Sequence, residues 1–284
     1  MPDAFSAELL KMRRHKATWF LVWIFPIGVL LLLALGILVD LADTSAAVTR
    51  PPLASQWIAE SAAVWSVPTN SLGRILISAY VAVVFAGEYG WNTWKLIVPH
   101  RSRAALVAAK LALVVVLLAF AYALTGVLTT AMLRLEDAVT GDAFPAGVTL
   151  SALASAHAKA ALAALAPALL TIAYTSLAAI LTRSTIAALV IGIVVVTVEG
   201  VFTQFAPFFA NYAPGLVWAL YHVLPGYHVA NLVNWIGDGA ALQTAFPDGS
   251  EVALPWIVSL AAAAAWIGGL AALAFAAFRR QDIN

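Results

Sequence analysis

Four stretches of this chain run for 23 residues or more without an acidic, basic or histidine side chain: 17–39, 111–133, 160–182 and the 27-residue 252–278. A helix needs about 20 apolar residues to cross the hydrocarbon of a bilayer, so each of the four can span one. Residues 72–91 form a fifth candidate, with Arg74 and Glu88 near its ends, where long side chains can reach the interface. Residues 185–209 form a sixth and carry Glu199 inside it. The expected fold is therefore an all-α membrane protein of six transmembrane helices, a single transmembrane domain over 1–284. The first span has a basic flank, but its apolar core far exceeds the roughly 7–15 residues of a cleaved signal, so a retained anchor is expected.

Only 10% of the residues are charged, against about 25% in an average soluble domain. What lies between six spans is too little for a soluble catalytic domain. The chain has no cysteine, which excludes disulfides, thiolate catalysis and Cys-ligated metals. No Gly-Lys dipeptide occurs, so the G-x-x-x-x-G-K-[ST] loop that cradles nucleotide phosphates is absent, as are H-E-x-x-H and G-x-S-x-G. No nucleotide cofactor or metal is expected on this chain, and no nucleic-acid partner.

Charge distribution orients the spans. With a cytoplasmic amino terminus, eleven of the fifteen Lys and Arg residues fall on the cytoplasmic side, and nine acids fall outside against four inside. An excess of Lys and Arg on the cytoplasmic side is the orientation signal for membrane insertion. Both termini are thus expected inside.

The segments between spans carry further pattern. In residues 1–16, Phe5, Leu9 and Met12 share one helical face, with Lys11, Arg13, Arg14 and Lys16 nearby, as in a helix lying in the headgroup layer. A plain basic flank is the blander reading. From Glu88 to Lys110, a polar interruption of 23 residues holds Trp91, Trp94 and Val98 at helical spacing and ends its helix at Pro99. Such a segment suits a surface helix gripped by a soluble partner, although a snorkelling basic loop would need neither the stripe nor the stop. The next turn on that side is about two residues, Arg183-Ser184. On the other side, Ser55–Trp65 reads as one short interfacial helix. In 210–251, two short apolar pieces, Gly215–Tyr221 and Val229–Ile236, flank Leu224-Pro225-Gly226 and read as re-entrant or surface helices before the last span.

Glu199 lies about 21 Å along its span. It reads equally as a cavity residue, together with Gln204, or as a hydrogen-bonded structural carboxylate. His222 and His228 are close in sequence, but no third ligand stands near them.

With those residues in view, the chain resembles the membrane subunit of type-2 ABC exporters. That family has an amphipathic connecting helix, a Glu at the cytoplasmic end of the second span, and a short coupling helix. A Thr or Trp-Lys, a Pro, an Arg and then a Lys seven residues on commonly follow. Here these are Glu88, Thr93-Trp94-Lys95, Pro99, Arg103 and Lys110. Asn92 stands where a Gly often precedes the Thr, and the Pro-to-Arg offset is four rather than three. Trp94-Lys-Leu-Ile followed by Pro resembles the lantibiotic and bacitracin protection permeases.

The resemblance implies a permease in a bacterial plasma membrane, dimeric with a second copy or a homologue. It would be driven by separate ATPase subunits that hold the ATP and Mg and would move a hydrophobic or amphipathic substrate. The coupling residues it implies are Glu88, Trp91, Thr93, Trp94, Lys95, Pro99, Arg101, Arg103 and Lys110, within a coupling helix at 91–103. Phe5, Leu9, Met12, Arg13 and Arg14 would belong to the connecting helix. An ion-coupled secondary transporter using Glu199 is the alternative.

Overall fold

The computed structural model describes residues 2–42, 53–90, 94 and 101–282. The first helix, α1 (Pro2–Arg14), breaks at His15, and α2 (Lys16–Ala42) follows at once. The elbow between them is tied locally. The Trp19 indole donates to the Arg13 carbonyl at 2.5 Å, meeting one of the acceptors that every helix C-terminus leaves open, and the Thr18 hydroxyl lies 3.2 Å from the Met12 sulfur.

On the far side come α3 (Ala54–Ser61) and a 3₁₀ turn at Ala63–Thr69. The expected single helix over Ser55–Trp65 is therefore two pieces that break at Ala62. Next is α4 (Ser71–Gly90), whose N-terminus is capped by the Asn70 side chain, accepting from the Gly73 amide at 2.8 Å. Gly73 is obligatory here: a Cβ at this position would stand 1.9 Å from the Val67 carbonyl oxygen, where the 3₁₀ turn crosses the helix.

The third long helix, α5 (Arg103–Thr140), has Ser102 as its N-cap and overshoots the expected 111–133 span at both ends. The fourth, α6 (Leu150–Thr182), begins ten residues before the expected 160. Arg183-Ser184 alone joins it to α7 (Thr185–Ala210): Arg183 takes the left-handed conformation at φ 54°, and the Ser184 hydroxyl caps α7. Then come α8 (Pro214–Val223) and α9 (Pro225–Asp238), each opening on a proline. A small antiparallel hairpin follows, β1 (Thr244–Ala245) with β2 (Glu251–Val252), and finally α10 (Trp256–Arg280). Proline at the first helical turn lacks only an amide that would be unbonded there anyway.

Among the described residues, six helices, α2, α4, α5, α6, α7 and α10, are long and apolar enough to cross a membrane, and α1 and the C-terminus of α10 lie at the same end of the bundle. The fold is an all-α membrane bundle, as the hydrophobic pattern predicts. Its centre is α4 and α6, which bury most of their span, whereas α2, α7 and α10 leave most of theirs facing outward. Gly192 of α7 lies against Ser78 of α4 and Thr175 of α6, and a Cβ there would stand 2.9 Å from Ser78. That is the close approach small residues permit. By contrast, Ala264, Gly268 and Ala272 on α10 face outward.

Candidate functional site

Two buried charge centres lie at opposite ends of α4. The first is on the side of the termini. Phe5, Glu8 and Met12 occupy one face of α1, and that face is turned into the bundle: Met12 and Glu8 are buried and Phe5 is half-buried. Lys110, about two turns into α5, is wholly inaccessible to solvent. Its ammonium has three protons and meets three acceptors: Glu8 Oε2 at 2.9 Å, Glu88 Oε1 at 3.0 Å and the Val84 carbonyl at 3.0 Å. Lys11 joins the same carboxylates, at 2.7 Å from Glu8 Oε2 and in contact with Glu88 Oε1. Two acids and two bases thus form a neutral cluster spanning α1, α4 and α5.

The Trp94 ring covers the cluster. Lys110 Nζ lies 5.2 Å from its centroid, and the ring packs against Phe278 at 4.6 Å and Tyr89 at 5.7 Å. Beside it, Arg103 donates to the carbonyls of Phe278, Arg279 and Gln281 at 3.1, 2.9 and 2.5 Å, capping the C-terminus of α10. Gln281 in turn links the Tyr89 hydroxyl, which donates to it at 2.6 Å, to the Ile180 carbonyl at 2.5 Å.

Burial would raise the Glu8 carboxyl, but the charges of Lys110 and then Lys11, with their hydrogen bonds, leave it below its ordinary value. The Lys11 ammonium is pushed down to about 8, by burial first and by the neighbouring Lys110 charge next.

The second centre corrects the sequence reading. Arg74 was expected to reach the interface; instead it is buried and forms a two-bond pair with Glu199 across α4 and α7, both contacts at 2.9 Å. It also donates to the Thr171 hydroxyl at 2.9 Å and the Tyr174 hydroxyl at 2.7 Å on α6. The α4 N-terminus is covered by the 3₁₀ turn, α6 and α7, so the guanidinium turns into the bundle, where it lines a cavity with Glu199, rather than out to the interface. Gly226, at the start of α9, lies over the pair: a Cβ there would stand 2.2 Å from the Thr203 hydroxyl and 3.0 Å from Glu199 Cγ. Glu199 and Gln204 also line one cavity of about 360 Å³, so the cavity reading and the structural one describe the same carboxylate.

The coupling candidates separate. Glu88 and Lys110 are buried, which removes them from direct contact with a soluble partner. Trp94 is buried as well, and Arg103 holds the end of α10 through one guanidinium nitrogen. Arg13, Arg14 and Arg101 are exposed, as is Leu9 in part. Trp91, Thr93, Lys95 and Pro99, with most of the 91–103 segment, lie outside the described residues. His228 is buried between Ser259 Oγ (3.2 Å) and the His222 carbonyl (2.6 Å), an inter-helix hydrogen bond rather than half of a ligand pair.

The sequence reading missed Glu8, Lys11 and Arg74 as members of these centres. Glu8 had left a signal, standing three residues after Phe5 and four before Met12, on the apolar face of its own helix.

A family model described as ABC-2 family transporter protein matches residues 4–200, a stretch that contains both centres. The chain belongs to the ABC-2 transporter family. No curated protein gives a significant match. ABC-2 proteins are membrane-spanning permease subunits without a nucleotide-binding domain of their own, and they work with ABC ATPase partners. In this ABC-2 protein, the matched region includes all but the first two residues of α1, which the four-charge cluster fastens to α4 and α5.

Proposed function

We propose that this chain is one half of the membrane-spanning part of an ATP-driven exporter in a bacterial plasma membrane, with both termini cytoplasmic and a second copy or a homologue completing a dimer. Separate ATPase subunits holding ATP and Mg would dock on residues 91–103 and on the exposed basic face of α1, at Arg13 and Arg14. Their closure would move α1, and the spans would follow.

The observation that carries this reading is the saturated Lys110. Fastened to Glu8 on α1, Glu88 and Val84 on α4, and anchored in α5, it ties three elements together. A permease with no nucleotide site needs a mechanical contact whose free energy differs between two states, and a rigid joint behind a surface helix supplies one. The cargo favoured is hydrophobic or amphipathic, since the one deep acid, Glu199, is neutralised by Arg74.

The test is reconstitution of the chain with its partner ATPase in proteoliposomes, scored by substrate movement and substrate-stimulated hydrolysis. Lys110→Met should keep the ATPase bound while abolishing stimulation. Substrate movement without any ATPase overturns the proposal. Movement that follows a proton gradient and fails in Glu199→Gln would instead favour ion coupling.

A further inference from the structure

Between α5 and α6, in the half of the bundle away from the termini, lies a groove of about 650 Å³. Its wall on α5 is Ala123, Gly126, Val127, Thr130, Ala131 and Arg134, spaced by threes and fours along one helical face. Leu150, Leu153 and His157 repeat that spacing on α6. Although consecutive in the chain, α5 and α6 touch little, and Trp57 and Trp65 close the gap between them.

The groove is held open by built contacts. The Trp57 indole donates to Asp137 Oδ2 at 3.2 Å, and the Trp65 indole to His157 Nδ1 at 3.2 Å. Phe144 stands edge-on to Trp57 at 5.4 Å, and the Arg134 guanidinium covers the Phe144 ring at 4.5 Å. Gly126 leaves room for the His157 ring, to which a Cβ would stand 3.0 Å.

From Arg134 to Ala123 the helix descends about 16 Å. Along that length the lining is almost wholly apolar, and Arg134, at the end nearer water, is the one Lys, Arg, Asp or Glu among the described residues that line it. Its side chain is 56% exposed, and its carboxylate neighbour Asp137 stands at 3.9 Å with the same oxygen already bonded to Trp57. Glu136, two residues on, projects from the opposite side of the helix. Arg134 therefore keeps donors for an anion, and guanidinium matches phosphate in geometry and charge.

We propose that this groove holds one acyl chain of an anionic membrane phospholipid, with the lipid phosphate on Arg134. The site goes beyond the transport reading and stands on different residues.

Native mass spectrometry of the full chain tests it, after incubation with phosphatidylglycerol or with phosphatidylcholine of the same chains. One phosphatidylglycerol should be retained, at least tenfold over phosphatidylcholine. Arg134→Gln should erase that preference, and Val127→Trp or Ala131→Phe, which fill the groove, should reduce both lipids to background at an unchanged melting temperature. Excess inorganic phosphate should not displace the lipid. Equal retention of the two lipids, a preference that survives Arg134→Gln, displacement by phosphate alone, or a Val127→Cys cross-link between two copies in native membranes would each overturn the proposal.

Discussion

On the side of the termini, Lys110 divides three protons among two helices' carboxylates and a carbonyl, with Lys11 as a second cation on the same acids. In the other half of the bundle, Arg74 commits two hydrogen bonds to a single carboxylate, Glu199, and two more to hydroxyls of α6. The first centre has redundancy, since either lysine still faces Glu8 and Glu88 when the other is lost. The second has none. The first also includes α1, which is too short to cross a bilayer, whereas the second joins only helices of spanning length. On the coupling proposed above, redundancy suits a segment that a partner would load, and a single exclusive pair suits helices that keep a fixed register.

The largest effect is expected where redundancy is lowest. Glu199→Ala leaves a guanidinium buried and unpaired and should cost about 3–5 kcal/mol of unfolding free energy, read by denaturant titration in detergent. Arg74→Leu with Glu199→Leu should recover most of that loss, because it removes both charges together. Next, Lys110→Met leaves Lys11 to serve both carboxylates, so about 2–3 kcal/mol is expected, with faster proteolysis inside α1 and little change at α7. A loss as large as that of Glu199→Ala would break the contrast. Gly226→Ala forces a methyl against Thr203 and Glu199 and should cost about 1–3 kcal/mol.

The smallest effect is in pH. Lys11 releases its proton near 8 when folded but only near its ordinary 10.5 when unfolded, so the unfolded chain binds more protons between those values. Stability should therefore rise modestly with pH across that window, and Lys11→Met should flatten the rise. Glu8 behaves conversely: the stability it lends is present above the ordinary carboxyl value and is lost as pH falls through its depressed folded value.

The spans were legible because an apolar run of bilayer length has few other uses, and the Arg183-Ser184 turn because nothing apolar remains between its neighbours. Both proline-led helices after Ala213 were legible as apolar pieces, though their starts lie one to four residues earlier than the hydrophobic runs, since Pro214 and Pro225 open them. Charge pairing was not legible. Arg74 and Glu199 are 125 positions apart, and Lys110 and Glu8 are 102. No local periodicity reports such a distance. The family pattern marked Glu88, Arg103 and Lys110 without saying that two of them are interior and that the third clasps the last helix.

The two-residue turn at Arg183-Ser184 has a consequence for how such a bundle can open. With α6 and α7 stapled there, and Gly192 holding α7 hard against its neighbours a little further along, the two helices cannot part at that end. Any widening must come at the opposite rim, as in a clothes-peg squeezed at the spring, and the Arg74–Glu199 pair is the catch that such a movement would have to release.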